Sequence, residues 1–336
     1  MQVLVAEGIE TLPKQMWPPT EMMHYLMMTR VKTHQIHKLL NTTLNHIVNA
    51  LNASDIPSVL LKGQGVAQNY RIPESRICGD IDIYTGLEGY KKAYEIVEKL
   101  QVNSSHTESV ECYHHMHLSL NGVEIEIHRH ADMMPNKRHN VKLQQWTKES
   151  IDAHFGTDVL RKWDNNGTEI HMAPPTFDAF FILHHAVRHM VIEGVGLRQI
   201  CDWTMFLHKN HQYINTKELS KKLKEFNMEA IWKEFGLIAV NHLGLPVEEL
   251  PLAPKSLKSK KTSRLLYHIF RLGNFGRFNK EPKVNTKSLP YLSKKWHHFR
   301  IQRRRHFKLF DIFPKYVSQH ICEWLKGAVV RLIQGV

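Results

Sequence analysis

Two aspartates separated by a single residue, Asp80 and Asp82, have the types and spacing that most clearly predict chemistry. They alternate with Ile81 and Ile83, a pattern typical of a strand that buries its isoleucines. Side chains two residues apart on a strand share a face, so the two carboxylates repel each other unless a cation lies between them. Mg²⁺ prefers oxygen ligands and is commonly held by one or two carboxylates together with substrate phosphates. The pair therefore favours metal-dependent phosphoryl or nucleotidyl transfer.

A glycine turn lies upstream of this pair. The apolar run 58–61 predicts a strand, and Lys62, Gly63, Gln64 and Gly65 follow it directly. Glycine after a strand lets the backbone approach phosphates and expose its N–H groups, and a helix that began at Gln64 or Gly65 would add positive potential. Lys62 could reach a phosphate or could equally be a solvated lysine at the end of the strand.

A third carboxylate is expected on a hairpin. Asn121 and Gly122 separate two alternating runs, 117–120 and 123–128, which is a strong hairpin signal. Glu124, Glu126 and His128 then share one face of the second strand. The period of two alone leaves the choice between the two glutamates open.

These residues give the chain a resemblance to the nucleotidyltransferase superfamily of the DNA polymerase β type, and within it to a subgroup of nucleotidyltransferase family proteins. The superfamily usually has Gly-Ser in the turn, whereas Gln64 stands here in place of the serine. The resemblance is close over about 75 residues and looser over 175–210. The matching residues are Leu61, Lys62, Gly63, Ala67, Tyr70, Pro73, Arg76, Gly79, Asp80, Ile81 and Asp82.

The resemblance implies roles for these positions. Asp80 and Asp82 would bind two Mg²⁺ or Mn²⁺ ions. The subgroup shows its third acid as acid–apolar–His, which favours Glu126 over Glu124, and Glu126 would complete one metal site or act as a base on the acceptor hydroxyl. The nucleotide-binding residues would be Lys62, Gly63, Gln64, Gly65 and Arg76, with ATP among the candidate NTP substrates.

The looser part of the resemblance supplies residues that could support the site. A helical domain would close the cleft and offer His184, Arg188 or Arg198 to the nucleotide phosphates, with Glu124 and His128 supporting the metal ligands. The alternative is that His184 and Arg188 simply lie along a polar helix face and that Arg198 forms an i,i+4 ion pair with Asp202. Zinc at His184 and His185 is not expected, because no third ligand has a suitable spacing.

The positive charge is concentrated near the C-terminus. Residues 255–308 contain 17 Lys and Arg and one acid, Glu281, so this segment carries +16 against +13 for the whole chain and −3 for the rest. Its cations are interleaved with aromatic residues, and an amphipathic helix is predicted within 310–336. The segment could bind RNA or an anionic membrane surface, or could be a plain solvated basic surface.

The 336 residues suit two domains, or one with a large helical appendage. We expect an α+β fold: a small mixed sheet of the polymerase-β-type nucleotidyltransferase core, with mainly helical N-terminal and C-terminal segments. The expected divisions are N-terminal helices at 1–54, the catalytic core at 55–150, a helical domain at 151–250 and a basic extension at 251–336. Beyond residue 140 the pattern predicts mainly helices.

Four scattered cysteines indicate reduced thiols and a cytoplasmic protein. The N-terminus does not have the pattern of a secretory signal, and no apolar run reaches the roughly 18 residues of a membrane span. Attachment to the inner membrane surface through residues 255–336 is the alternative location.

Three functions compete on this evidence. The first is transfer of a nucleoside monophosphate from an NTP to a hydroxyl of a small molecule or protein, with release of pyrophosphate. The second is template-independent transfer to RNA through the basic segment. The third is a non-catalytic NTP-binding or assembly module, which the presence of all three acids argues against.

Overall fold

The strands predicted around the acidic pair belong to a mixed sheet. The structure is a computed structural model that describes residues 1–100, 115–273 and 291–333, and within them six strands pair in the order β3-β4-β2-β1-β6-β5. Two neighbouring pairs are parallel, β2 with β4 and β1 with β6, and the others are antiparallel. The strands are β1 Val59–Leu60, β2 Asp80–Tyr84, β3 His115–Leu120, β4 Val123–His128, β5 Arg161–Asn165 and β6 Thr168–Met172.

Helices surround this sheet in the sequence and make up most of the remaining described chain, which confirms the α+β prediction. They are α1 Gln2–Glu10, α2 Thr20–Asn52, α3 Gln64–Ala67, α4 Gly86–Lys99, α5 Lys137–Ser150, α6 Pro175–Ile192, α7 Leu197–Asn210, α8 Thr216–Glu225, α9 Glu229–Leu243, α10 Lys260–Leu272, α11 Tyr291–Phe310 and α12 Pro314–Ile333. No helix among the described residues is long and apolar enough to cross a membrane.

The chain divides into two compact units. The first contains Met1–Met133 and Lys142–Asp178, and the second contains Met134–Val141 and Ala179–Val336. The whole sheet and the acidic pair therefore belong to the first unit.

The hairpin β5–β6 was not predicted, since the region beyond residue 140 was expected to be mainly helical. Its turn uses Asn166 and Gly167, whose φ angles of 51° and 88° suit the tight turn of a two-residue hairpin. The same dipeptide forms the predicted turn of the β3–β4 hairpin at Asn121 and Gly122, with φ of 54° and 78°. The Asn-Gly turn signal was therefore present in the sequence, but the strands on either side of it are too polar to be predicted from an apolar pattern.

One face of the sheet is covered by α2 and α4. The buried positions of α2 include Leu40, Leu44, Ile47 and Leu51, which recur at the spacing of one helix face. They pack with the isoleucines of β2 and β4 and with the buried side of α4 in a single apolar cluster. Burial of this face fixes which side chains of each strand must point the other way.

The N-terminal helix α1 is attached to the start of α2. Ala6 packs with Met23 and Leu26, and Glu10 forms an ion pair with Arg30 at 2.8 Å. Glu7 also accepts a hydrogen bond from the Ser75 hydroxyl. These contacts connect the first helices to the loop that leads into β2.

The second unit is helical and has an aromatic core. Trp203 and Trp232 meet edge to face with centroids 4.9 Å apart, and each indole N–H donates to a backbone carbonyl. The C-terminal helix α12 is part of this core, since Tyr316 is buried and its hydroxyl lies 3.0 Å from Nε2 of His184. The basic segment thus leads into a helix that is packed within the second unit.

Candidate active site on the acidic face of the sheet

The acidic face of the sheet is determined by its isoleucines. Ile81 on β2 and Ile125 and Ile127 on β4 are fully buried against the helices. The parallel register places Asp80 beside Glu124 and Asp82 beside Glu126. Because side chains alternate along both strands, the four acids share the face opposite to the isoleucines.

Asp82 is the most buried of these acids. Its side chain is 1% exposed, and Oδ1 lies 2.8 Å from the Lys62 ammonium and 3.0 Å from Nε2 of His128. Its second oxygen, Oδ2, is buried and has no hydrogen-bond partner within the described part of the chain. Burial raises the pKa of Asp82, but the charge of Lys62 and the hydrogen bond from His128 outweigh it, and the pKa lies well below its usual range.

His128 connects Asp82 to the third acid. Its Nε2 is 3.0 Å from Asp82 Oδ1 and 3.1 Å from Glu126 Oε2, so this nitrogen carries the proton and donates to both carboxylates. Burial lowers the pKa of His128, whereas the two carboxylates raise it, and the net direction is upward. The imidazole is thereby held in one orientation between two acids.

Glu126 and Glu124 have different environments. Burial raises the pKa of Glu126 and its hydrogen bond with His128 lowers it, and the net shift is downward. Glu124 is exposed and is the partner of Asp80 in the strand register. The glutamate next to Asp82 is therefore Glu126.

Asp80 lies near the edge of the acidic face and is partly exposed. The neighbouring charge of Asp82, followed by burial, raises its pKa. The two aspartates thus have pKa values shifted in opposite directions, as expected for like charges on one strand face when a nearby cation is paired with one of them, Asp82.

Lys62 supplies that cation. Its side chain is only 19% exposed and its ammonium is paired with Asp82. Burial lowers the pKa of Lys62, but the charges of Asp82, Asp80 and Glu126 raise it by more. The net shift of the pKa is upward, so the residue stays protonated. Lys62 is therefore the counter-ion of the acidic cluster and not a solvated lysine at the end of a strand.

The glycine turn lies directly against the acidic strand. Gly63 has φ +55°, and a Cβ built on it would lie 3.2 Å from the carbonyl oxygen of Asp80. A Cβ on Gly65 would lie 3.0 Å from the sulfur of Met172. Gly63 therefore favours glycine through both its backbone angle and this close approach, whereas a side chain at Gly65 would require the Met172 side chain to shift.

Gln64 begins the one-turn helix α3 and is completely buried. Neither its amide oxygen nor its amide nitrogen has a hydrogen-bond partner within the residues that the structure describes. The helix is too short for its dipole to contribute much positive potential. Any polar role of the turn therefore rests on Gln64 and the backbone.

Arg76 is buried in the loop before β2. Its Nη1 lies 3.0 Å from the sulfur of Cys78, and its carbonyl oxygen bonds with Nε2 of His37 on α2. Through these two contacts, Arg76 anchors the loop that leads into Asp80.

The remaining candidates lie in the second unit. His184 is fully buried, stacks on Phe180 and contacts Tyr316, so it does not occupy an exposed polar helix face. Arg188 and Arg198 are partly buried in the same unit. Lys62, Asp80, Asp82, Glu126 and His128 are the predicted residues that the structure brings together.

The acidic face suits a divalent cation. Asp82, Glu126 and His128 have ligand atoms that converge to within 4.8 Å. While Nε2 of His128 donates its proton to the two carboxylates, the acids are the available ligands, and the buried Oδ2 of Asp82 is an acceptor that a cation would satisfy. A second group, His115, His117 and Glu126, meets the same criterion. The two histidines were not identified from the sequence, although β3 pairs with β4 and their alternation within 115–117 predicts a shared face.

The sequence pattern that defines the family of uncharacterised nucleotidyltransferases matches residues 1–244, which include the entire sheet and the acidic face. Comparison with curated proteins and with solved structures gave no match.

Proposed function

The chain belongs to the uncharacterised nucleotidyltransferase family, and we propose that it transfers a nucleoside monophosphate from an NTP to an acceptor hydroxyl, with release of pyrophosphate. The observation that carries the proposal is the acidic cluster of Asp80, Asp82 and Glu126 on adjacent parallel strands, with one buried carboxylate oxygen that has no partner among the described residues. Lys62 offsets only part of the charge of three acids, so a divalent ion would stabilise the cluster further, and the reaction needs such ions to neutralise the triphosphate.

Asp80, Asp82 and Glu126 would hold divalent ions, Mg²⁺ or Mn²⁺. When bound, these ions would offset the charge that develops on the phosphate oxygens. His128 keeps two of the carboxylates in place, since its single N–H donates to both Asp82 and Glu126.

The acceptor oxygen forms a bond to the α-phosphorus, and the bond from this phosphorus to the bridging oxygen breaks. Pyrophosphate leaves with the electron pair, and the proton of the acceptor hydroxyl passes to a carboxylate of the cluster, for which Glu126 is the candidate base. Lys62 and the turn at Gly63–Gly65 would contact the triphosphate, since they lie next to Asp82 and Asp80.

A polynucleotide acceptor is the second candidate, favoured by the exposed basic helix α11. Arg303, Arg304 and Lys308 are exposed on it, and so are the rings of Trp296 and Phe307. Cations that contact phosphates and rings that stack on bases suit a single strand. A small-molecule or protein hydroxyl remains the first candidate.

Label transfer tests the proposal. The purified chain is incubated with each α-labelled NTP, with Mg²⁺ or Mn²⁺, and with a cell extract as the pool of acceptors. Asp80→Asn/Asp82→Asn serves as the inactive variant and Glu124→Gln as a matched charge-changing control. Label that reaches an acceptor with the native chain and the control, but not with the double variant, is the expected result.

Digestion of the products with ribonuclease then separates the two candidate acceptors. Label released as nucleotides identifies an RNA acceptor, and resistant label identifies a small molecule or a protein. No transfer, together with no metal-dependent NTP binding by calorimetry, would reject the catalytic function in favour of a binding or assembly module.

A further inference from the structure

Two histidines of the edge strand β3 extend the polar face beyond the acids. The antiparallel register pairs His117 with Glu126 and His115 with His128, so all four side chains lie on the face that carries Asp82. We propose that His115, His117 and Glu126 form a separate binding site for a divalent transition-metal ion such as Zn²⁺. The inference goes beyond nucleotidyl transfer, because ion binding there does not require the chain to be a transferase.

The distances between the three side chains suit a metal ion. Nδ1 of His115 lies 3.7 Å from Glu126 Oε2, and Nδ1 of His117 lies 3.6 Å from Glu126 Oε1. Tetrahedral zinc with bonds of 2.0–2.1 Å holds its ligand atoms about 3.3 Å apart. One ligand atom from each of the three side chains also lies within 4.8 Å of the others, so the three groups already converge.

The two imidazoles also face each other. Their Nε2 atoms lie 2.6 Å apart, and the rings meet edge to face with centroids 4.3 Å apart. Two ring nitrogens at this separation are compatible only if one carries the shared proton and the other accepts it. A metal ion that takes one nitrogen from each ring would replace this contact by two stronger bonds.

The donor set distinguishes this site from the carboxylate pair. Two imidazoles and one carboxylate suit zinc and its neighbours in the first transition row, whereas Mg²⁺ prefers oxygen ligands. The side chain of His115 is 8% exposed and that of His117 is 36% exposed, so one side of the site is open to solvent. An ion could therefore enter and keep a water ligand, as in zinc sites with three protein ligands.

Glu126 connects this site to the acids. One of its oxygens faces His128 and His115, and the other faces His117. A carboxylate in this position can bridge two ions, one on each side. The site would thus place a tightly held ion next to the weaker, exchangeable Mg²⁺ positions at Asp80 and Asp82.

The chain offers a matched control in the second unit. His185 and His189, one turn apart on α6, also bring two Nε2 atoms together, at 3.1 Å. Glu193, the acid near His189, is exposed, and the three do not form a group of converging ligand atoms among the described residues. This pair has the same two imidazoles but lacks a partly buried carboxylate such as that of Glu126.

Metal retention tests the proposal. The full chain is stripped with a chelator, loaded with Zn²⁺ and dialysed against a large excess of Mg²⁺, and bound zinc is measured by elemental analysis. The comparison includes His117→Ala, Asp82→Asn and His185→Ala/His189→Ala. Circular dichroism shows whether each variant is folded, which is expected for His117→Ala because its side chain is partly exposed.

We expect the native chain, Asp82→Asn and the double variant on α6 to retain one zinc ion per chain. His117→Ala should bind Zn²⁺ at least about tenfold more weakly, since even losing a residue that only supports a ligand costs this much. Retention by His117→Ala, or no zinc on the native chain, would overturn the proposal. An equal loss in Asp82→Asn would also overturn it, because the ion would then belong to the Asp82, Glu126 and His128 group.

Discussion

At the scale of single residues, carboxylates of the same type differ in burial and in the charged groups around them. Asp82 is buried with an ammonium and an imidazole, Asp80 is partly exposed, and the pKa values of the two shift in opposite directions. Glu126 faces three imidazoles, whereas Glu124, two residues earlier, faces solvent. The strand period makes these residues equivalent in sequence, and only the neighbouring strand distinguishes them.

The two glutamates therefore provide a matched comparison. Glu126→Gln should reduce the rate of nucleotidyl transfer on the order of 10³-fold, because a metal ligand contributes several kcal/mol of transition-state stabilisation. Glu124→Gln makes the same chemical change on the same strand face and should stay close to the native rate. Label transfer under single-turnover conditions measures both, and the reverse order would assign the third acid to Glu124.

Lys62 should protect the acidic cluster when no metal is bound. Lys62→Met removes the ammonium beside Asp82 and leaves three acids to repel one another. Without metal, we therefore expect the free energy of unfolding to fall by about 1–3 kcal/mol. Added Mg²⁺ should then raise the melting temperature of the variant more than that of the native chain, because the ions replace the missing charge. Thermal unfolding with and without Mg²⁺ measures this difference, and equal shifts would argue against the counter-ion role.

At the scale of elements, the sequence predicted the strands and helices that have a clear period. The alternation in 80–84 and 123–128 and the apolar spacing of α2 required only local information. The polar strand β5 contains Arg161, Lys162 and Asp164, which resemble a loop until their pairing with β6 is known. The position of His115 and His117 beside Glu126 was missed for a different reason, because the predicted strand began only at residue 117, whereas β3 begins at His115.

Replacing glycine by alanine should have opposite effects on stability in the β5–β6 turn and in a helix. Gly167→Ala should destabilise the chain by about 1–2 kcal/mol, because an L-residue is strained at its φ of +88°. Gly8→Ala, inside α1 with open space around it, should instead stabilise by about 0.5–1 kcal/mol. Urea unfolding compares the two, and a neutral effect at Gly167 would mean that the turn relaxes.

Helix α2 contributes to the site by supporting the sheet from behind. Leu44→Ala removes a fully buried side chain from this cluster and should destabilise by about 2–5 kcal/mol. His46→Ala, two residues along and exposed, should change stability by less than about 0.5 kcal/mol. Denaturant unfolding followed by circular dichroism measures both, and similar small effects would show that α2 is not part of the cooperative core.

At the scale of the whole molecule, the acidic residues of the site and most of the positive charge lie in different parts of the sequence. The acidic face lies within residues 80–126, whereas residues 255–308 carry +16. Within the second unit, a pocket is lined by Arg271, Arg304, Arg305 and Lys308. The composition predicted this basic segment, and the spacing of apolar residues predicted an amphipathic helix after it. The burial of Tyr316 on that helix against His184 was not predicted, because the two residues are far apart in sequence.

Binding through the basic helix can be separated from the effect of net charge. Arg303→Gln/Arg304→Gln/Lys308→Gln should weaken binding to single-stranded RNA and reduce the slope of log K against log salt by about 2, roughly 0.7 for each phosphate contact on a single strand. Lys217→Gln/Lys221→Gln/Lys224→Gln, on α8, removes the same charge from other exposed positions. Equal losses would mean that only net charge matters, and binding to anionic vesicles alone would identify a lipid surface.

The burial of Tyr316 against His184 also has a consequence for biosynthesis. Helix α6 leaves the ribosome about 130 residues before its partner on α12, at a rate of roughly 5–20 residues per second. During those seconds the aromatic core of the second unit is exposed to chaperones and proteases. Purified chains truncated before Phe313 should therefore be digested in this unit, and the full chain, which contains α12, should resist.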